Sequence, residues 1–499
     1  MATPPDSAPH APPDPAPYAG ALRANAHGGW TRWAIPAHQD QPDRHPALAG
    51  LAGPELLRMD IPVFTEGVDR PAPGSDGPTP LQQALDLAAT AWGARRTWFL
   101  TDGASQGNHT ACLAVRMLGS HAVAQRSVHT SVIDGAILAG LRLEFVSPNV
   151  DAHLGIAHGV TADALDAQLA RHPSAGAAYV VTPSYFGAAS DVAALAAVCH
   201  RRGVPLIVDE AWGSHFGFHP ALPASALQQG ADVVISSTHK LAGSLTQSAM
   251  LHLGEGPFAD QLEPLLDRAL RTFQTTSPSA ILLGSLDLAR QDLVTGAERI
   301  AASIADAQRV RALLAEGGRF ADADPAMLAS PDVVALDPLH VVVDTRSGGV
   351  PGFEARRLLE ESGRIHVEVA TDAVVVGIVG AGSRLDAEHV AAALHALPVL
   401  DVAARSPITL PAPCPRDMDL REAFLAGNEV VPSAGAIGRV SADALAAYPP
   451  GVANVMPGEV ITAEVVDFLR ATAASPYGWV RGAVDEAVDH MRVIRKVGE

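Results

Sequence analysis

Cysteine is nearly absent from the chain. Cys112, Cys199 and Cys414 are the three among 499 residues, far apart and without a CxxC pair. That spacing excludes a disulfide scaffold and a cysteine-based zinc site, and no metal is expected. No uninterrupted apolar run approaches the roughly 20 residues that span a bilayer, so no membrane segment is expected. The N-terminus lacks a basic stretch followed by an apolar one, which argues against a secretory signal. The expectation is a soluble, cytoplasmic protein. Positive charge is also scarce: 35 Lys and Arg stand against 54 Asp and Glu, for a formal net charge of −19. An acidic surface repels phosphate backbones, so nucleic acid is not an expected partner. Charged residues make up 18% and hydrophobic residues 48%. That composition fits a globular protein rather than a disordered one, and the length allows about three domains around sizeable cores.

What is present changes along the chain. Residues 1–28, with PPDSAPHAPPDPAPYAG, read as a disordered Pro/Ala-rich tail, and 29–78 as an irregular N-terminal arm. From residue 79 the pattern becomes regular. Apolar positions at helical spacing over 80–93 precede a short run, TWFL, then a Gly-containing turn at 102–108 and a helix at 109–118. Further strand-then-helix units follow, and PLIVDEAW and DVVISSTHK read as buried strands. Alternating strands and helices predict an α/β domain over 79–300 with a mostly parallel sheet covered on both faces. A long helical stretch, 289–317, connects to a small α/β domain over 301–400. A Pro-rich linker at 401–415 opens a C-terminal domain over 401–499.

The chemistry concentrates in residues 205–253. One apolar strand ends at Asp209, and thirty-one residues later a second ends in Ser236-Ser237-Thr238-His239-Lys240. Ligands of open α/β sheets bind at the carboxyl ends of strands. An aspartate and a lysine at two such ends are what pyridoxal phosphate requires. The lysine amine binds the cofactor as a Schiff base, and the carboxylate keeps the pyridine nitrogen protonated, which makes the ring an electron sink. Either residue alone is an ordinary turn aspartate or surface lysine. Two more features join them. The turn GASQGN, 103–108, offers backbone N–H groups and the Ser105 hydroxyl at a helix N-terminus, a natural phosphate site. His129, after a short strand in RSVHTSV, offers a flat ring to stack on the pyridine.

STHKLAGSLTQSAMLHL, preceded by DEAWGSHFGFHPALP, resembles the prokaryotic ornithine/lysine/arginine decarboxylases, and the resemblance runs from about residue 30 to 470. It implies a fold-type-I pyridoxal-phosphate transferase-like architecture with a seven-stranded sheet in the large domain. By position it implies that Lys240 carries the cofactor, Asp209 pairs with the pyridine nitrogen, and His129 and Ala211 cover the two ring faces. Gly103, Ala104, Ser105, Ser237 and His239 would surround the phosphate, and Trp212 would lie beside the substrate. The loop Gln274–Ser279, with Thr275 and Thr276, resembles one that reaches a neighbouring subunit's site, which implies a homodimer. Thr182-Pro183-Ser184-Tyr185-Phe186-Gly187 resembles the family's loop near the cofactor. GAIGRVSADALAAYPPGVANVMPGEVI resembles the family's C-terminal signature, where an acidic residue meets the substrate's distal cation; Glu459 and Glu368 are the candidates.

The chain departs from the family pattern at Ala104, where a hydroxyl residue is usual, at Trp212, where short members carry His, at Ala280, and in PPGVAN. No N-terminal wing domain is expected. The implied reaction is decarboxylation of arginine, lysine or ornithine to agmatine, cadaverine or putrescine. Two alternatives stay open. An aminotransferase or lyase shares the Asp and Lys; an aminotransferase needs an arginine for the α-carboxylate, such as Arg384 or Arg439. A catalytically silent regulatory homologue would not need Lys240, Asp209 and His129 together.

Overall fold

The structure is a computed structural model, and it describes residues 14–62, 64–400, 407–448, 450–475 and 478–495. A seven-stranded sheet forms the centre: β1 (Arg96–Leu100), β2 (His121–Gln125), β3 (Arg142–Val146), β4 (Ala175–Val181), β5 (Leu206–Asp209), β6 (Val233–Ser236) and β7 (Ala249–Leu253). Their order is β1-β7-β6-β5-β4-β2-β3. Every pair from β3 through β6 is parallel, and β7 runs antiparallel to both of its neighbours. The protein is thus α/β, with the mostly parallel seven-stranded sheet expected of a fold-type-I enzyme. β5 and β6 are buried at every position, as strands covered on both faces must be.

Helices pack along this sheet. α1 (Pro17–Ala26) comes first. α2 (Pro80–Trp92) is bounded by chemistry legible in sequence: Thr79 accepts from the Gln82 amide, Pro80 opens the first turn, and Gly93 closes it at φ 70°. α3 (Gly103–Leu118) presses so tightly on β6 that a Cβ at Gly107 would lie 2.7 Å from an Ile235 methyl. α4 (Thr130–Ala139) and the short α5 (Thr238–Leu241) each follow a strand of the sheet. α6 (Ala280–Thr295) and α7 (Ala297–Gly317) lead to the small domain. There, β8 (Ala321–Asp322), β9 (His340–Asp344), β10 (Val369–Ala370) and β11 (Val374–Ile378) form an antiparallel sheet in the order β8-β9-β11-β10. A ribbon of Ala188–Ser190 paired antiparallel with Val333–Leu336 ties this domain to the large one.

Three expectations need correction. Residues 17–26, read as part of a disordered tail, form α1, which buries Tyr18 and Leu22; residues 1–13 lie outside the described residues. Asp287 of α6 accepts from the Tyr18 amide at 2.9 Å, and Gly284 leaves room for Leu22. The stretch 289–317 is two helices broken at Gly296. The turn at 103–108 is the opening of α3, which begins at Gly103 rather than at 109. Among the described residues, no helix is long and apolar enough to cross a membrane.

Candidate active site

The carboxyl ends of the central strands converge on a cavity of about 200 Å3. Asp209 ends β5 and is buried. Its Oδ2 accepts from Asn108 Nδ2 at 2.9 Å, and its Oδ1 from the Ala211 amide at 3.1 Å. Asn108, on α3, is itself fixed: its Oδ1 accepts from the Tyr179 hydroxyl at 2.5 Å, and its Nδ2 also donates to Ser131 Oγ at 2.8 Å. The carboxylate therefore has one orientation and is braced by neutral donors.

Lys240 sits in α5 just past β6, on the same side of the sheet. Its Nζ lies 3.9 Å from the Trp212 ring centroid and 5.9 Å from that of Tyr185. Burial pushes this amine down to about 8, against the opposing pull of Asp209 and Glu368. The neutral amine is the nucleophilic form, and the downward shift enlarges its share at neutral pH. His129 caps α4, with Nδ1 accepting from the Ser131 amide at 3.3 Å and lying 2.8 Å from its hydroxyl. Burial lowers the imidazole below its ordinary value against the opposing pull of Asp209, and Lys240 and Arg481 add to the lowering, which favours the uncharged ring.

Gly103, Ala104 and Ser105 form the first turn of α3 at one end of the cavity, beside Ser237 and His239. First-turn amides have no partner within their own helix and, with the positive end of the helix dipole, suit an anion. His239 is oriented by donating Nδ1 to the Ser248 carbonyl at 2.8 Å.

Sequence profiles of known families decide the assignment. That of the Orn/Lys/Arg decarboxylase major domain matches residues 16–382, and that of the family's C-terminal domain matches 410–476. The chain belongs to the Orn/Lys/Arg decarboxylase family. It is 33% identical over 491 residues to an arginine decarboxylase of Bacillus subtilis, covering 96% of this chain and 97% of that one. It is likewise 33% identical over 482 residues to an arginine decarboxylase of Halalkalibacterium halodurans, covering 95% and 96%. Among solved structures it resembles lysine decarboxylase A from Pseudomonas aeruginosa, with TM-score 0.79, 21% identity and coverage of 96% and 80%. It also resembles the constitutive lysine decarboxylase of Escherichia coli, with TM-score 0.78, 19% identity and coverage of 96% and 82%. These two likenesses concern the fold.

The decarboxylase is a pyridoxal-phosphate enzyme, and its cavity fits that group. An amine, a fixed carboxylate, a neutral flat ring and a helix N-terminus with two nearby polar side chains surround one space. Ten of the residues singled out in sequence line it: Gly103, Ala104, Ser105, His129, Asp209, Ala211, Trp212, Ser237, His239 and Lys240. Four others do not. Thr275 and Thr276 are exposed on the loop between helices and do not line this cavity. Glu368 lines a second cavity of about 320 Å3, which shares Ser127, Val181 and Tyr185 with the first.

Glu459, expected near the substrate's distal cation, lies elsewhere in this chain. It is buried away from both cavities, and its two oxygens accept from Arg126 Nη1 and Nη2 at 2.8 and 2.7 Å. The Met456 amide adds a third donor at 2.9 Å. This carboxylate binds the C-terminal domain to the large domain. Arg384 and Arg439, the candidates for an aminotransferase's carboxylate clamp, also lie outside both cavities, paired at 2.7 Å with Asp306 and Glu429. Sequence reasoning missed Asn108, Tyr179 and Ser131. Asn108 stood within GASQGN, but its reach to Asp209 follows only once α3 is known to start at Gly103.

Proposed function

We propose that this decarboxylase removes the α-carboxylate of L-arginine, giving agmatine and carbon dioxide. The observation that carries the reading is the pair of joined cavities, with Lys240 and Asp209 in one and the Glu368 carboxylate in the next. The two arginine decarboxylases to which the chain is 33% identical over nearly its whole length support the same substrate.

Bound pyridoxal phosphate supplies the electron sink that accepts the pair left behind when the carboxylate departs. The chain's own residues prepare that event. Lys240 would hold the cofactor through its side-chain amine. Asp209 would hold a proton on the pyridine nitrogen, its carboxylate kept in place by the Asn108 brace. His129 and Ala211 would cover the two faces of the ring, while the first turn of α3, Ser237 and His239 would hold the phosphate. Glu368 meets the guanidinium at the far end. Tyr448 and Trp479, stacked at 4.5 Å with planes 10° apart, present flat aromatic surface to the same cavity, which suits a planar cation better than a point charge. Thr275 and Thr276 serve the site of a second subunit, which makes the working unit a homodimer.

The test is a comparison of arginine, lysine and ornithine, with carbon dioxide measured and amines identified by mass. Arginine should give the highest kcat/KM, and Glu368→Gln should lower it at least about tenfold, chiefly through KM. Faster turnover of lysine or ornithine would overturn the substrate assignment, and so would an unchanged KM in the variant.

A further inference from the structure

Behind Trp212 lies a charged cluster that the chemistry above does not use. Asp337, His215 and His340 have side chains with 0% exposure. His340 Nδ1 donates to Asp337 Oδ2 at 2.7 Å, and Asp337 Oδ1 accepts from the Leu339 amide at 3.0 Å. His215 Nε2 stands 3.0 Å from the same Oδ2, close in distance but off the line of a hydrogen bond. Burial raises the Asp337 carboxyl, yet the two imidazoles outweigh it and hold the group far below the usual carboxylate range. Among the described residues, no group of three such side chains is placed to hold a metal ion. A buried carboxylate of this kind costs free energy unless its partners repay it.

Its connections lead to Lys240 by two routes. His215 is three residues beyond Trp212 on the loop after β5, and the His340 ring meets Trp212 edge-on at 5.9 Å and 68°. The Asp337 amide donates to the Gly187 carbonyl at 2.9 Å, two residues beyond Tyr185. Gly187, at φ 80°, lies so close that a Cβ there would be 2.7 Å from the His340 Cβ. Trp212 and Tyr185, 5.5 Å apart, are the two rings that face Lys240 Nζ. One residue of the small domain thus grips both loops that roof the reactive amine.

We propose that Asp337 is a positioning residue for the decarboxylation: through His340 and His215 it holds the Trp212 and Tyr185 rings over Lys240 and keeps that amine dry and aimed. Loosening the grip would let water reach the ammonium and return Lys240 toward ordinary lysine behaviour. The inference rests on Lys240 being the reactive amine, so the test reads that amine directly. Lys240 and Lys496 are the two lysines of the sequence, so trace labelling with acetic anhydride can be read at Lys240 by peptide mass.

The full-length protein without cofactor is labelled across a pH series, for the parent chain, Asp337→Asn and His340→Ala. Neither variant alters Asp209, His129, Tyr185, His239 or Glu368, the other titratable groups around the amine. The parent should show half-maximal reactivity near about 8. In the folded variants that midpoint should rise by at least about one pH unit. In the loaded enzyme kcat should fall about tenfold, with KM changed less. Folded variants that titrate like the parent would overturn the proposal, and so would failure of both to fold, which would assign the cluster to stability alone. If Lys240 were not the cofactor lysine, reduction with borohydride would fix no cofactor on its peptide in the parent chain, a result separate from any shift in the titration.

Discussion

Replacing Glu459 with leucine should destabilise the protein without weakening substrate binding. The carboxylate accepts three hydrogen bonds, two of them from a guanidinium whose side chain is 4% exposed. Without it, Arg126 keeps the Ala453 carbonyl, which accepts from Nε at 2.8 Å, and a longer contact of 3.4 Å to the Asn454 carbonyl. Stranding one partner of a buried pair costs about 3–5 kcal/mol. Counting the two charged hydrogen bonds at about 1.5–3 kcal/mol each leads to a similar figure. The paired variant Arg126→Met/Glu459→Leu removes both charges and should recover most of the loss, because an apolar pair of similar volume is often neutral relative to a buried ion pair. Urea unfolding followed by circular dichroism measures each variant, and steady-state kinetics on the folded single variant gives KM. A Glu459→Leu protein with the parent's unfolding midpoint and a tenfold higher KM would refute the reasoning and return Glu459 to the substrate.

Two further outcomes test the site and its surroundings. Borohydride reduction of the loaded enzyme should leave the cofactor's mass on the Lys240 peptide, and Lys240→Ala should lose both this adduct and the absorbance near about 420 nm that such cofactors share; an unchanged spectrum would contradict the assignment. Burial lifts the Glu210 carboxyl to about 8, while the Ala226 amide, donating at 2.7 Å, pulls it down. The native state therefore keeps a proton that the unfolded chain loses in the ordinary glutamate range, and stability falls as pH rises from that range to about 8, by up to about 1.4 kcal/mol per pH unit. Glu210→Gln should flatten this dependence in unfolding experiments; an identical pH profile would show that the carboxyl ionises in place.

The most legible parts of the site were those carried by local pattern. Asp209 and Lys240 each follow an apolar run whose strand character is unmistakable, and strand ends of an α/β sheet share one side. The start of α3 was not legible, because Gly, Ser and Asn are weak helix formers and the packing of Gly107 on Ile235 overrides that preference. α1 was hidden in the same way: the prolines that lead into it suggest disorder, while its helix depends on burial of Tyr18 and Leu22 against α6. The choice between Glu368 and Glu459 could not be made from sequence. What engages Glu459 is Arg126, 333 residues away, and no local signal announces that partner.

The ribbon that joins Ala188–Ser190 to Val333–Leu336 has a mechanical consequence. Backbone pairing resists shear, so the small domain is riveted to the large one beside the loop that carries Tyr185. Admission of the amino acid by a hinge-like swing of that domain would have to tear these hydrogen bonds. The larger cavity is lined in part by Trp479, which is 49% exposed. The C-terminal domain thus supplies part of that cavity's wall, through Tyr448, Pro450, Gly451 and Trp479, and changes there should alter KM before they alter the chemistry itself.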